Sequence, residues 1–175
     1  MPARLNELIQ IVEYDPAWAT EFAHLRLQLL NAVRDLGASV EHVGSTAVPG
    51  LAAKPILDID VVLSSSLQVA EAIARLAEIG YEHQGDLGIA GREAFASPSN
   101  TPAHHLYLVV RGSEPWRNHI QFRDYLQQHP ESAQAYTALK RSLAERFQNE
   151  RDKYTEGKTE YITHVLRRAR ATLNP

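Results

Sequence analysis

The sequence predicts an α/β protein of the α+β kind: a small mixed β-sheet with flanking helices, followed by a helical C-terminal third. Three observations point there. Apolar residues recur at helical spacing near the N-terminus and again through the last third of the chain. Two short aliphatic runs, residues 56–63 and 105–110, have the composition of strands and are preceded by turn residues. Strands and helices interleave in the first two-thirds, whereas only helices follow. A chain of 175 residues fits one domain, 1–175. At that size a domain buries roughly 70% of the surface its unfolded chain exposes, enough for a sizeable core.

Taken in order, residues 9–12 are β-prone. Asp15 and Pro16 supply a helix start, as N-cap and first helical residue. Trp18, Phe22, Leu25, Leu29, Val33 and Leu36 form one apolar face, and Gly37 ends the helix. A short strand near 40–43 leads into a Gly/Pro-punctuated loop, 44–55. Pro55 biases Lys54 away from helix, and 56–63 is a strand. Ser64–Ser66 caps a helix whose face carries Val69, Ile73, Leu76 and Ile79, with Gly80 as its stop. Residues 81–85 form a further candidate strand. The stretch 86–103, rich in Gly, Ser, Asn and Pro, reads as a loop with a short ordered piece around Phe95. Residues 105–110 make a strand, and 114–128, 132–152 and 159–173 make helices.

Composition excludes several classes of function. There is no cysteine, so disulfides, thiolate metal sites and a Cys nucleophile are out. The formal net charge of −3 argues against a non-specific nucleic-acid binder. The opening MPARLNELIQ has no apolar segment of signal-peptide length, and no run approaches the ~20 apolar residues that span a bilayer. The expected location is therefore cytoplasmic, with no membrane partner. Oligomeric state has no sequence signal.

The chemistry concentrates in HVGSTAVPGLAAKPILDIDVVL, residues 42–63. On a strand, residues i and i+2 share a face, so Asp58 and Asp60 project side by side. Two adjacent carboxylates repel unless a cation lies between them, and Mg²⁺ suits such oxygen ligands. Gly44 permits close backbone approach, Ser45 and Thr46 offer hydroxyl and amide donors to phosphate oxygens, and Lys54 adds a point charge. The spacing fails the P-loop test, because five residues separate Gly44 from Gly50 and Leu51 follows. Ser45 also lacks the Gly-x-Ser-x-Gly context of a nucleophile elbow.

A Gly-Ser turn, a gap of twelve residues and an Asp-x-Asp strand between aliphatics resemble the signature of DNA-polymerase-beta-type nucleotidyltransferases. EHVGSTAVPGLAAKPILDIDV is similar to one branch of them, the GrpB family. So are YDPAW, HHLYLV, FRDYLQQHPESAQAYTALK and DKYTEGKTEYI, which extend the resemblance over nearly the whole chain. It implies that Asp58 and Asp60 hold one or two Mg²⁺ ions. It further implies that Gly44 and Ser45 take the β- and γ-phosphates of a nucleoside triphosphate. Among the basic residues at the matching segments (Arg92, Arg117, Arg123, Lys140 and Lys158), Arg123 and Lys140 are the candidates for phosphate contact.

This chain departs from that pattern in one respect. A third carboxylate is expected from a neighbouring strand, yet HHLYLVV offers His105 and Tyr107 and no acid. His105 reads as a base or metal ligand, or else as a structural histidine donating to a backbone carbonyl. Asp86 and Glu93 are loop acids that would have to fold back to replace the missing group. Tyr154 and Trp116 are candidates for stacking on a base. The expected activity is Mg²⁺-dependent transfer of a nucleoside monophosphate to a small-molecule acceptor. The alternatives are a non-catalytic nucleotide- or cofactor-binding module linked to coenzyme A metabolism, and a metal-dependent phosphohydrolase.

Overall fold

The computed structural model describes residues 8–173. Helix α1 (Ala17–Val33) opens with the Asp15 carboxylate accepting the backbone N–H of Ala17 at 2.9 Å. Its buried stripe is Trp18, Leu25, Leu29 and Val33, and a 3-10 turn at Arg34–Leu36 carries Leu36 into the same core. There follow β1 (Ser39–Val43), β2 (Leu57–Leu63), α2 (Val69–Glu78), β3 (Glu82–His83), β4 (Arg92–Ala96) and β5 (His104–Val110). The C-terminal third is α3 (Glu114–Gln128), α4 (Pro130–Phe147), α5 (Arg151–Gly157) and α6 (Thr159–Leu173). The strands form one sheet in the order β1-β2-β5-β4-β3. Only β2 and β5 pair in parallel, so the sheet is mixed, as the sequence predicts.

Three elements differ from expectation. Residues 9–12 contribute only a single bridge, Val12 to Ala53, because no second strand runs alongside them. The ordered piece around Phe95 is a full strand, β4, inserted between β5 and β3. Its sequence, REAFA, begins with two charged residues and shows no apolar alternation that would have betrayed it. The expected helix 132–152 ends at Phe147, where Gln148 takes a positive φ of 30°, and a separate α5 begins at Arg151. No glycine or proline marks that break.

Alternation along β2 sorts the molecule into layers. Leu57, Ile59, Val61 and Leu63 point to one face and pack with Leu25, Leu29 and Val33 of α1 and with Ala72 and Leu76 of α2. Asp58 and Asp60 therefore face the opposite side, where the C-terminal helices lie. Those helices have a core of their own, in which Val48 and Leu51 of the long loop meet Tyr125, Leu126, Tyr136, Val165 and Ala169. No helix among the described residues is long and apolar enough to cross a membrane.

Candidate functional site

Gly44 joins β1 to a 3-10 turn at Ser45–Ala47, with φ 71° and ψ −169°. That backbone region is essentially restricted to glycine. Space demands it as well: a Cβ built on Gly44 would lie 2.4 Å from Asp58 Oδ2. The Gly-Ser turn and the acidic strand are thus one device, with the carboxylate seated against the bare glycine.

Parallel pairing sets Asp58 opposite His105 and Asp60 opposite Tyr107. His105 Nδ1 donates to Asp58 Oδ1 at 2.9 Å, which leaves Nε2 as acceptor, 3.3 Å from Arg151 Nη2. The carboxylate selects the tautomer and aims the ring. Burial works against ionisation of Asp58. The bond from His105 and the charges of His105, His119 and Lys158 outweigh it and hold its pKa below the ordinary carboxylate value. The structural role weighed for His105 belongs instead to its neighbour. His104 Nδ1 donates to Pro102 O at 2.7 Å, and its Nε2 accepts the Tyr81 hydroxyl at 2.7 Å.

Asp60 has a different fate from Asp58. It is 0% exposed, and both its oxygens face His119 Nδ1 of α3, at 2.8 and 3.1 Å. Burial disfavours the imidazolium, but the Asp60 bond and the charges of Asp60 and Asp58 prevail and raise the His119 pKa. Sequence reasoning gave His119 no role, because nothing in a chain separation of 59 residues signals the contact. Asp60→Asn is expected to cost about 1.5–3 kcal/mol of stability, the worth of one charged hydrogen bond, measured by urea unfolding. Anion binding in the cavity described next should be unchanged by it.

Asp58 and His105 open into a cavity of about 250 Å³ ringed by cations: Lys54, Lys140, Arg151 and Lys158, with Ser45 at the turn. The lysines lie against tyrosine rings. Lys54 and Lys158 are 5.3 and 4.5 Å from the Tyr154 ring centre, and Lys140 is 4.8 Å from that of Tyr136. Lys140 is 2% exposed and donates to the Ala52 carbonyl. Burial, with Lys158, Lys54 and Arg141 adding and Asp58 opposing, pushes its pKa down to about 7. Burial and Lys54 bring Lys158 to about 8, and burial and Arg151 lower Lys54 also. Crowded, half-desolvated ammonium groups around one carboxylate are a site short of negative charge.

Of the residues singled out in the sequence, Ser45, Lys54, Asp58, His105 and Lys140 line this cavity, and Gly44 abuts it through Asp58. Thr46 and Arg123 do not line it. Thr46 is buried and its hydroxyl is engaged by His42 Nε2 at 2.9 Å. Arg123 is held by Glu41 Oε2 at 3.0 Å, Asp124 Oδ1 at 2.7 Å and the His42 carbonyl at 3.0 Å, so its fork ties α3 to β1. Tyr154 underlies two lysines, whereas Trp116 meets Arg111 elsewhere. Neither Asp86 nor Glu93, which lies on β4 rather than in a loop, completes a triad with the aspartates. Glu93 pairs with His83 at 2.6 Å, and Asp86 accepts the Gly88 N–H at 2.8 Å. The residue that sequence reasoning missed here is Arg151, at the start of the short helix α5 that the expected helix 132–152 would have absorbed; Lys158, named among the basic residues but not singled out, follows α5 directly.

Of the two carboxylates expected to hold Mg²⁺, only Asp58 lines the cavity. Among the described residues no three His, Asp or Glu side chains converge on one point. Asp60 is consumed by His119 and lines none of the cavity. What remains, one carboxylate paired with a histidine inside a ring of cations, is chemistry for an anion.

A family model described as GrpB protein matches residues 8–168. The chain belongs to the GrpB family. A crystal structure of the conserved protein GrpB from Enterococcus faecalis superposes with a TM-score of 0.81 at 32% identity, covering 91% of this chain and 96% of that one. The UPF0157 protein YqkA of Bacillus subtilis is 33% identical over 88% of this chain, which spans only 45% of YqkA. A dephospho-CoA kinase of Mycolicibacterium paratuberculosis is 26% identical over 92% of this chain, and the match spans 46% of that protein. A looser likeness, TM-score 0.53 at 14% identity over 74% of this chain and 42% of the other, is to a cytoplasmic RNA terminal U-transferase. This GrpB-family chain therefore has a nucleotidyltransferase-like fold.

Proposed function

We propose that this GrpB-family protein binds a nucleoside triphosphate through its phosphate chain in the lysine-ringed cavity. The observation that carries the reading is the convergence of Lys54, Lys140, Arg151 and Lys158 on Asp58 and Ser45. Four cationic side chains held close together with one carboxylate repel one another, and a polyanion relieves that repulsion. Arg151 supplies a bidentate fork and the lysines supply point charges. Isothermal titration with ATP, CTP, GTP and UTP, with Mg²⁺ and with EDTA, tests the reading. Binding of at least one of them is expected in both buffers, because no binding residue named here waits on a metal. Absence of binding in both would remove the proposal, and binding only with Mg²⁺ would return Asp58 and Asp60 to the role of metal ligands.

One specific feature favours chemistry over binding alone: the Asp58–His105 pair. With Nδ1–H committed to the carboxylate, Nε2 is the ring's basic nitrogen; it lies on the cavity wall, and its 3.3 Å contact with Arg151 Nη2 has to give way before it takes a proton. In nucleotidyl transfer, an acceptor hydroxyl oxygen forms a bond to the α-phosphorus as the bond to pyrophosphate breaks. The hydroxyl proton passes to His105 Nε2. The cations neutralise the departing pyrophosphate. Asp58→Asn should then reduce label transfer from α-labelled nucleotide by roughly 10²–10⁴-fold, the usual worth of a positioned base. Nucleotide affinity should hold or rise, since a negative charge leaves a phosphate cavity. Full transfer by that variant would dismiss the pair from catalysis.

A further inference from the structure

A second cavity of about 540 Å³ adjoins the first across a wall that includes His105. Ile56, His105, Tyr107 and Arg151 line both. The two lobes differ sharply in charge. The smaller holds three lysines and an aspartate, whereas the larger has no Asp, Glu or Lys in its lining. Beyond the shared wall it is built from Gln84 and Leu87, β4 (Ala94 to Ala96), the adjoining 97–103 loop and His104. Much of its polarity is already spent inside the protein. Ser97 donates to the His104 carbonyl at 2.9 Å, Thr101 to the Pro98 carbonyl at 2.7 Å, and His104 is bonded at both ring nitrogens.

From this division we infer that the larger lobe receives the uncharged nucleoside half of the ligand whose phosphates occupy the smaller one. The inference rests on the phosphate-binding reading above and extends it to the rest of the molecule. Beyond the shared Arg151, the larger lobe has no lysine or arginine to offer a second phosphate chain. A lobe without acid has nothing to hold an amine or metal-bound group. Its size lies within the ordinary range of small-ligand pockets, and its lining of Phe95, alanines, prolines and neutral hydroxyls suits a heterocycle and a sugar. A ligand laid across both lobes brings its α-phosphate to the shared wall. That wall carries His105 and Arg151, so the phosphorus that reacts in nucleotidyl transfer meets the Asp58–His105 pair.

The test compares a nucleoside triphosphate with inorganic tripolyphosphate, which has the phosphates and no nucleoside. Titrations use wild type, Ala103→Trp and Ser99→Trp, all with thermal unfolding as a check on folding. Ala103 and Ser99 are exposed residues that line the larger lobe and not the smaller one. At least one of ATP, CTP, GTP and UTP is expected to bind wild type about tenfold or more tightly than tripolyphosphate. In either tryptophan variant that advantage should vanish, with tripolyphosphate affinity unchanged. Equal affinity for tripolyphosphate and all four nucleotides overturns the inference while leaving the phosphate site intact. So does a nucleotide advantage that survives in both variants. If neither tripolyphosphate nor nucleotide binds wild type, the phosphate-binding reading fails and this inference falls with it.

Discussion

Gly44→Ala is expected to destabilise the protein by about 2–4 kcal/mol, because it combines a backbone conformation barred to alanine with a steric collision. The backbone term follows from φ 71° and ψ −169°. The collision follows from the 2.4 Å between the new Cβ and Asp58 Oδ2. Relief requires the carboxylate to leave its seat, which breaks its bond to His105 and tilts the strand-facing wall of the cavity. Urea unfolding and a tripolyphosphate titration should therefore fail together, the first by a lower midpoint and the second by weaker binding. In an Asp58→Ala background the cost of Gly44→Ala should shrink but not disappear, since the backbone strain stays. A full-cost Gly44→Ala in both backgrounds would mean that the glycine and the carboxylate are independent.

Removing Lys140 and Lys158 is the second large effect, and it separates binding from folding. Lys140→Met and Lys158→Met should each lower tripolyphosphate affinity by roughly 10–100-fold, the worth of a charge-assisted hydrogen bond. Stability should move little at Lys140, because an apolar side chain of similar length removes a desolvated charge while leaving the Ala52 carbonyl without its donor. A large fall in thermal midpoint at Lys140→Met would mark the residue as a structural strut.

The lysines also give the wild type a pH dependence of definite sign. Lys140 and Lys158 have folded pKa values of about 7 and about 8 against 10.5 for the ordinary group. Between those values and 10.5 the native state holds fewer protons than the unfolded chain. Stability of the free protein therefore rises with pH through that window. Anion binding runs the other way. It is strongest below about pH 7, where both ammonium groups are charged, and weakens as pH climbs through about 8. Titrations of tripolyphosphate at several pH values should show this decline, with proton uptake on binding near neutrality. A flat profile, or tighter binding at high pH, would exclude Lys140 and Lys158 as the phosphate ligands.

Legibility in the sequence followed the range of the interactions involved. The helix face of α1, the capped start of α2 and the aliphatic strand around Asp58 all rest on local periodicity, and each is where the residues indicate. β4 was hidden because REAFA has two charges and no alternation, and only its seat between β5 and β3 makes it a strand. The α4–α5 break was hidden because no glycine or proline announces it. Arg151, which the expected helix would have absorbed, opens α5 just after that break and lines the cavity, so an error of local structure became an omission in the site. Arg123 illustrates the converse. Its side chain is suited to phosphate, but Glu41 and Asp124 lie closer and hold it.

The sequence by itself determined that Asp58 and Asp60 share a face of one strand behind a Gly-Ser turn. A period of two residues permits no other arrangement, and the GrpB-like wording around it identified the family. Tertiary structure decided what the two acids do. Asp58 lies against Gly44 and beside His105, open to a ring of cations gathered from the long loop, from α4, from α5 and from the residue that follows α5. Asp60, two residues on and chemically identical, is closed off by His119 of α3. Their difference arises from contacts 47 and 59 residues away in the chain, and such distances are set by packing rather than by any local pattern.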